Sequence, residues 1–274
     1  MKTRLSSNNP FGHNRYGFAF EYLESGMRCL DYGCYDGAFM KKVEEYKNVD
    51  FVGVDKNSRI VLENPHGLDL IHIGDNLPFE SQSYDCVTML DVLEHIYDQA
   101  SVLKEVNRVL KHNGTLIVTV PKKHLFSFLD MKNLAFIFPS IAKWFLIRMY
   151  SRDDYEDWYV KNADGLVGDV EREKSWHQHF SNFALQKLLC DNGFTVKVLD
   201  GSGLFERIFI FCDFLKIGSL FPIRLRQLDS KRFEQTSLFC RAIKHKTSRI
   251  GQRLPDQHWI ATSVFRFSYP KGFS

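Results

Sequence analysis

Three short stretches place an acid where small or turn-forming residues let the backbone close on a ligand. The first is Leu30-Asp31-Tyr32-Gly33-Cys34-Tyr35-Asp36-Gly37, between the apolar run ending at Tyr32 and a segment of helical periodicity over 37–47. Glycines at such a strand-to-helix junction allow a tight turn and close backbone approach, and the following helix offers unpaired N–H groups. The loop carries Gly33 and Gly37 but lacks GxGxxG, and Asp31 would repel a pyrophosphate while suiting a cationic group such as an amino acid's ammonium. Eighteen residues after Gly37, Val52-Gly53-Val54-Asp55 ends in an acid that can accept both hydroxyls of a ribose. The third stretch, Gly74-Asp75-Asn76-Leu77-Pro78-Phe79, offers an acid and apolar residues suited to an adenine ring. Together they outline a pocket for an adenosine bearing a charged amino acid. Read structurally instead, Asp31 is a turn former, Asp55 a helix cap and Asp75 an Asx turn.

The elements that must position these residues are legible in the apolar pattern. Residues 28–32, 51–55, 68–73, 84–90 and 115–121 are short apolar runs fenced by Gly, Asn, Asp or Pro, and segments 37–47 and 98–111 have helical periodicity. Alternating strands and helices predict an α/β fold with a mostly parallel sheet and helices on both faces. The rhythm breaks over 122–175, where an aromatic and apolar block precedes the acidic stretch DDYEDWY, and resumes over 181–200, with Ser181 placed to cap a helix. A last strand is expected over 237–243.

At 274 residues and 44% hydrophobic, the chain is long enough to bury a substantial core. A net charge of +3 argues against nucleic acid as an obligate partner. The six cysteines have neither CxxC nor metal-ligand spacing and read as reduced core thiols of a cytoplasmic protein. The N-terminus has no signal-peptide pattern, and no window is apolar enough for a membrane span.

The ordered set LDYGCYDG (30–37), VGVD (52–55), GDNLPF (74–79), YDCVTMLDVLEHI (84–96) and RVLKHNGTLIVTVP (108–121) resembles the class I S-adenosylmethionine-dependent methyltransferases, especially those with the ubiquinone-methyltransferase type of core. The resemblance covers about a third of the chain. It implies a Rossmann-like seven-stranded sheet with a helical insertion after the fifth strand, and S-adenosyl-L-methionine as cofactor. It divides the chain into an extension (1–26), a core (27–121 and 176–245), an insertion (122–175) and a basic tail (246–274). By the same resemblance Asp31, with Gly33 and Gly37, meets the methionine amino group, and Asp55 the ribose hydroxyls. Asp75 with Asn76 and Leu77 meets the adenine edge, while Leu90 and Asp91 line the methionine side. One position departs from the pattern: Tyr35 stands where the family usually has glycine.

His177 and His179, in the segment Ser175-Trp176-His177-Gln178-His179, are candidate general bases; His95, beside Glu94, is a third. A structural reading makes one of the pair a helix cap and the other a surface residue. No metal site is indicated. The expected reaction is O-methylation of a small molecule, lipid or sugar (glycan) acceptor. The insertion serves as an acceptor lid, either as a cover buried on the sheet or as a peripheral membrane contact through 125–150. The competing readings are a catalytically inactive methyltransferase-like scaffold and a nicotinamide enzyme, the latter disfavoured by the missing GxGxxG.

Overall fold

The computed structural model describes residues 5–12, 14–74, 76–123, 139–149, 151–155, 178–201 and 237–245. Its centre is a seven-stranded sheet in the order β3-β2-β1-β4-β5-β7-β6. The strands are β1 (Arg28–Tyr32), β2 (Asp50–Asp55), β3 (Leu70–His72), β4 (Tyr84–Leu90), β5 (Leu110–Pro121), β6 (Phe194–Gly201) and β7 (Ser237–Lys244). β1 to β5 pair in parallel, and β7 runs antiparallel to both β5 and β6. The expected mostly parallel α/β sheet is therefore present.

Helices cover both faces. On one, α4 (Gln99–Val109) and α7 (Asn182–Asp191) bury Val102, Leu103, Val106, Val109, Leu185 and Leu189. Their starts are fixed by side-chain caps: Asp98 accepts from the Ser101 N–H at 3.0 Å, and Ser181 from that of Ala184 at 3.1 Å. On the other face lie α1 (Arg15–Tyr22) and α2 (Ala38–Glu44), contributing Phe18, Ala19, Phe20, Phe39, Met40 and Val43. The short α3 (Ser58–Glu63) links β2 to β3; α5 (Pro139–Met149) and α6 (Arg152–Tyr155) are the described helices of the stretch after β5.

Some elements differ from the sequence pattern. Residues 15–22, set apart as part of an extension, form α1 and sink Phe18 and Ala19 fully into the core. β3 is shorter than the run 68–73, because the Asn64 side chain bonds both the N–H and the carbonyl of Leu68 and keeps it in the loop. β5 begins at Leu110, inside the expected helix, where Leu110 pairs with Tyr84 ahead of a register shift. Cys190 is exposed on α7 rather than a core thiol, whereas Cys29, Cys34, Cys86 and Cys240 are buried.

The sheet order decides where a ligand fits. The chain runs outward from β1 through β2 to β3, then returns to β4 on the other side of β1. The crevice outside the carboxyl ends of β1 and β4 lies at this reversal, the place where open α/β sheets bind ligands.

Candidate cofactor and acceptor site

The residues at this crevice are held in two different ways. At the end of β2, Asp55 accepts the Tyr35 backbone N–H on Oδ2 at 2.9 Å and the Asn57 N–H on Oδ1 at 2.8 Å. Each oxygen retains acceptor capacity, so the carboxylate is fixed in orientation and still able to bond a pair of hydroxyls. The glycine loop reaches Asp55 through left-handed backbone at Gly33 (φ 79°), Tyr35 (φ 52°) and Gly37 (φ 79°). Glycine is needed at Gly33, where a Cβ would collide with the Val92 side chain. Tyr35 adopts the left-handed region without that freedom. Its hydroxyl is shifted upward, first by burial and then by Asp36, Glu63 and Asp55.

At the β1 end, Asp31 is 3% exposed and accepts the Thr88 hydroxyl on Oδ1 at 2.5 Å. No cationic side chain bonds it among the described residues. Burial pushes its carboxyl up to about 7; the Thr88 bond opposes the shift and Asp55 adds to it. A buried acid with a hydroxyl donor and no counterion suits an incoming ammonium. Beyond β4, Asp91 sits at φ 57° and its N–H donates to both the carbonyl and Oγ1 of Thr119 at 3.0 Å. The Thr119 hydroxyl in turn donates to Asp91 Oδ1 at 2.6 Å. Arg15, from α1, completes the set with an ion pair to Asp91. Sequence reasoning missed Arg15, which lies in no motif and meets its partner 76 positions away.

The loop after β3 is tied to α4. Leu77 is 5% exposed and packs in the core; its N–H donates to Glu105 Oε2 at 3.3 Å and its carbonyl accepts from Arg108 at 3.0 Å. The backbone assigned to the adenine edge is thus engaged by α4, and Arg108 also bonds the Phe79 carbonyl at 2.7 Å. Asn76 is exposed, Leu90 is partly buried, and Asp75 lies outside the described residues.

The candidate bases divide similarly. His177 lies outside the described residues. His179 precedes Phe180, whose N–H donates to the Pro121 carbonyl and whose carbonyl accepts from the Lys123 N–H, placing this returning segment beside the end of β5. Gln178 accepts from Gln99 Nε2 at 2.8 Å, and the same nitrogen bonds the Leu93 carbonyl. Leu93–His95 is a single turn of 3₁₀ helix, in which His95 Nε2 stands 3.9 Å from the buried Glu94. His179 and His95 are thus carried by segments that one glutamine pair joins. In the stretch after β5, Trp144 and Ile141 of α5 are exposed, at variance with a fully buried cover. Phe126, Phe128, Phe136 and Phe138 lie outside the described residues.

The sequence profile of the methyltransferase-domain family matches residues 13–198, a span holding every element of this crevice. The chain belongs to the methyltransferase-domain family. The methyltransferase is 30% identical over 176 residues to the demethylmenaquinone methyltransferase of Staphylococcus saprophyticus, covering 58% of this chain and 72% of that one. A second enzyme of that name, from Staphylococcus aureus, is 30% identical over 172 residues, covering 57% and 68%. Among solved structures, a SAM-dependent methyltransferase of Thermotoga maritima superposes with a TM-score of 0.50 at 20% identity, covering 86% and 91% of the two chains. The cyclase SpnF gives 0.51 at 14% identity, covering 81% and 76%. These structural likenesses speak to the fold alone.

The methyltransferase is of class I, and S-adenosyl-L-methionine is its cofactor. The donor set fits that molecule: a backbone-held carboxylate at one end of the crevice, a buried acid with no counterion among the described residues at the other, and a left-handed loop between them.

Proposed function

We propose that the methyltransferase moves a methyl group onto a hydroxyl oxygen of a small molecule, lipid or sugar acceptor bound beside the ends of β4 and β5. The observation that supports this site is the Gln99–Gln178 bond, which joins the segment bearing His179 to the turn bearing His95. The relatives named for demethylmenaquinone support an acceptor that is a small molecule.

When bound, S-adenosylmethionine supplies a methyl group already activated on a sulfonium, so the chain's task is to orient, exclude water and accept a proton. In this reading Asp55 holds the ribose hydroxyls, Asp31 and Asp91 face the methionine ammonium, and Gly33 and Gly37 keep the loop low. The Asp75 and Asn76 loop borders the adenine. Leu90 lines the methionine side. His179, His177 or His95 takes the proton released by the acceptor hydroxyl at an imidazole nitrogen. Residues 122–175 form the acceptor lid. The exposed Trp144 and Ile141 with Arg148 on α5 support peripheral contact with an anionic membrane surface. No helix among the described residues is long and apolar enough to cross a membrane.

Calorimetric titration with S-adenosylmethionine and S-adenosylhomocysteine, beside Asp55→Ala, tests the cofactor site. The expected result is micromolar binding by the wild type and at least a tenfold loss in the variant, about 1.4 kcal/mol. Folded wild-type protein that binds neither would remove the transfer reading and favour a scaffold. For the base, kcat of His179→Ala and His95→Ala is measured with cofactor Kd unchanged; equal turnover in both variants would reject these two.

A further inference from the structure

The loop proposed to border the adenine is anchored on both sides. Before it, the Ile73 N–H donates to the Asp55 carbonyl at 3.1 Å, which ties the end of β3 to the end of β2. After it, Leu77 is fixed by α4, and the chain stays on that helix until β4 begins. Phe79 packs edge-on against Tyr84 with ring centroids 5.2 Å apart, and the Gln82 and Ser83 N–H groups donate to the Arg108 and Val109 carbonyls at 2.9 and 2.8 Å. Ile73 and Leu77 are buried, whereas Gly74 and Asn76 between them are exposed. An exposed tip thus stands between two fixed ends.

Charged side chains make the Leu77 anchor. Glu105 and Arg108, three positions apart on one flank of α4, meet in a fork: Arg108 Nε donates to Glu105 Oε1 at 2.9 Å and Nη2 to Oε2 at 2.8 Å. Glu105 also accepts the Leu77 N–H, and Arg108 donates to the Leu77 and Phe79 carbonyls. Hydrogen bonding to Arg108 holds the Glu105 carboxyl below the usual carboxylate range, so the fork is charged at neutral pH. The Leu77 N–H shares a planar peptide with the Asn76 carbonyl, and across a trans peptide the two point in opposite directions. The described residues include no cis peptide bond, so the bond that draws the Leu77 N–H to Glu105 turns the Asn76 carbonyl away from α4.

We infer that Glu105 and Arg108 are positioning residues for adenine recognition: they fix the Asn76–Leu77 peptide so that the loop tip offers an acceptor to the exocyclic amine of the base. This rests on the placement of the adenine at this loop in the function proposed above. The two side chains act through the backbone and do not themselves meet the base. A tip already ordered does not lose that freedom again when the cofactor binds. An acceptor aimed at an amine also rejects a base that carries oxygen in its place, because two acceptors then face each other unpaired.

The test measures three ligands on Glu105→Ala, Glu105→Gln, Arg108→Ala and the wild type. S-adenosylhomocysteine carries the whole nucleoside and the amino acid; methylthioadenosine has the same nucleoside and thioether without the amino acid. S-inosylhomocysteine keeps the amino acid and replaces the amine of the base by oxygen. Wild type is expected to prefer S-adenosylhomocysteine to S-inosylhomocysteine by about tenfold or more. In Glu105→Ala and Arg108→Ala both adenine ligands should weaken together by about tenfold, while S-inosylhomocysteine stays within about twofold of wild type, so that the preference collapses. Retained S-inosylhomocysteine binding also shows that the variants are folded. Glu105→Gln, whose amide oxygen still accepts the Leu77 N–H, should recover part of the preference. Equal weakening of all three ligands, or a preference that survives in every variant, would make the fork a fold element only and overturn the assignment. If wild type binds the adenine and hypoxanthine ligands equally, the adenine placement fails and the inference with it, while the rest of the cofactor site stands. If it binds none of the three, the cofactor reading itself fails.

Discussion

The two ends of the crevice hold their acids by different means. At the end proposed for the ribose, Asp55 is gripped by two backbone N–H groups from within 20 positions of it, those of Tyr35 and Asn57. At the end proposed for the methionine, Asp31 and Asp91 are held by the hydroxyls of Thr88 and Thr119 and by the guanidinium of Arg15, which come from other strands and from α1. A backbone-held acid depends on loop shape, and its orientation survives most side-chain changes nearby. An acid held by side chains can be loosened by one substitution, and its protonation state is set by burial.

That contrast makes Asp31→Asn the largest test at the methionine end. Burial and Asp55 hold the Asp31 carboxyl at about 7, against about 4 for an unfolded aspartate. A raised pKa favours the folded protein at acid pH: this contribution is complete below about pH 4 and lost as pH rises through about 7. Cofactor binding has the opposite sense, because an ammonium stabilises the carboxylate. Affinity for S-adenosylhomocysteine should therefore rise with pH across about 6 to 8, with proton release detected by calorimetry in buffers of different ionisation enthalpy. Asp31→Asn should abolish that pH step, weaken binding at pH 8 by roughly tenfold, about 1.4 kcal/mol, and raise the melting temperature of the free protein at pH 8. An unchanged pH profile would mean that Asp31 does not meet the ammonium.

Thr119→Val is the next smaller change. It deletes the hydroxyl that donates to Asp91 Oδ1 and accepts from the Asp91 N–H, while the backbone bond from Asp91 to the Thr119 carbonyl remains. Loss of that donor to a charged group is expected to cost about 1 to 2 kcal/mol of stability by denaturant titration. It should also raise the Kd for S-adenosylhomocysteine severalfold with little effect on methylthioadenosine. Equal effects on both ligands would make Thr119 a fold residue only.

Legibility in the sequence follows the same division. Strands β1 and β4 lie where the apolar runs place them, and Gly33, Gly37 and Asp55 fall in local patterns that report a loop meeting a strand end. Arg15 and Thr119 carry no such signal, since their partner Asp91 is reached only when α1 and β5 pack against β4. The bonds from Glu105 and Arg108 of α4 to the Leu77 backbone are likewise outside any local pattern. The start of β5 was hidden by its helix-like apolar spacing, which pairing with Tyr84 overrides. The acceptor side has no local pattern, and the link from Gln99 to Gln178 spans 79 positions.

Tyr35 gives the smallest expected effect and separates backbone from ring at the ribose end. Its φ of 52° costs about 1 kcal/mol for a residue with a Cβ, whereas glycine has no such strain but a more flexible unfolded chain. Tyr35→Ala keeps the strain and removes the ring; Tyr35→Gly removes both. If the Tyr35 N–H bond to Asp55 is what matters, both variants retain it and should bind S-adenosylhomocysteine within about threefold of wild type. Tyr35→Gly should then exceed Tyr35→Ala in stability by up to about 1 kcal/mol. A tenfold loss of affinity shared by the two variants would instead place the ring against the nucleoside, and the ribose end would then depend on a side chain as the methionine end does.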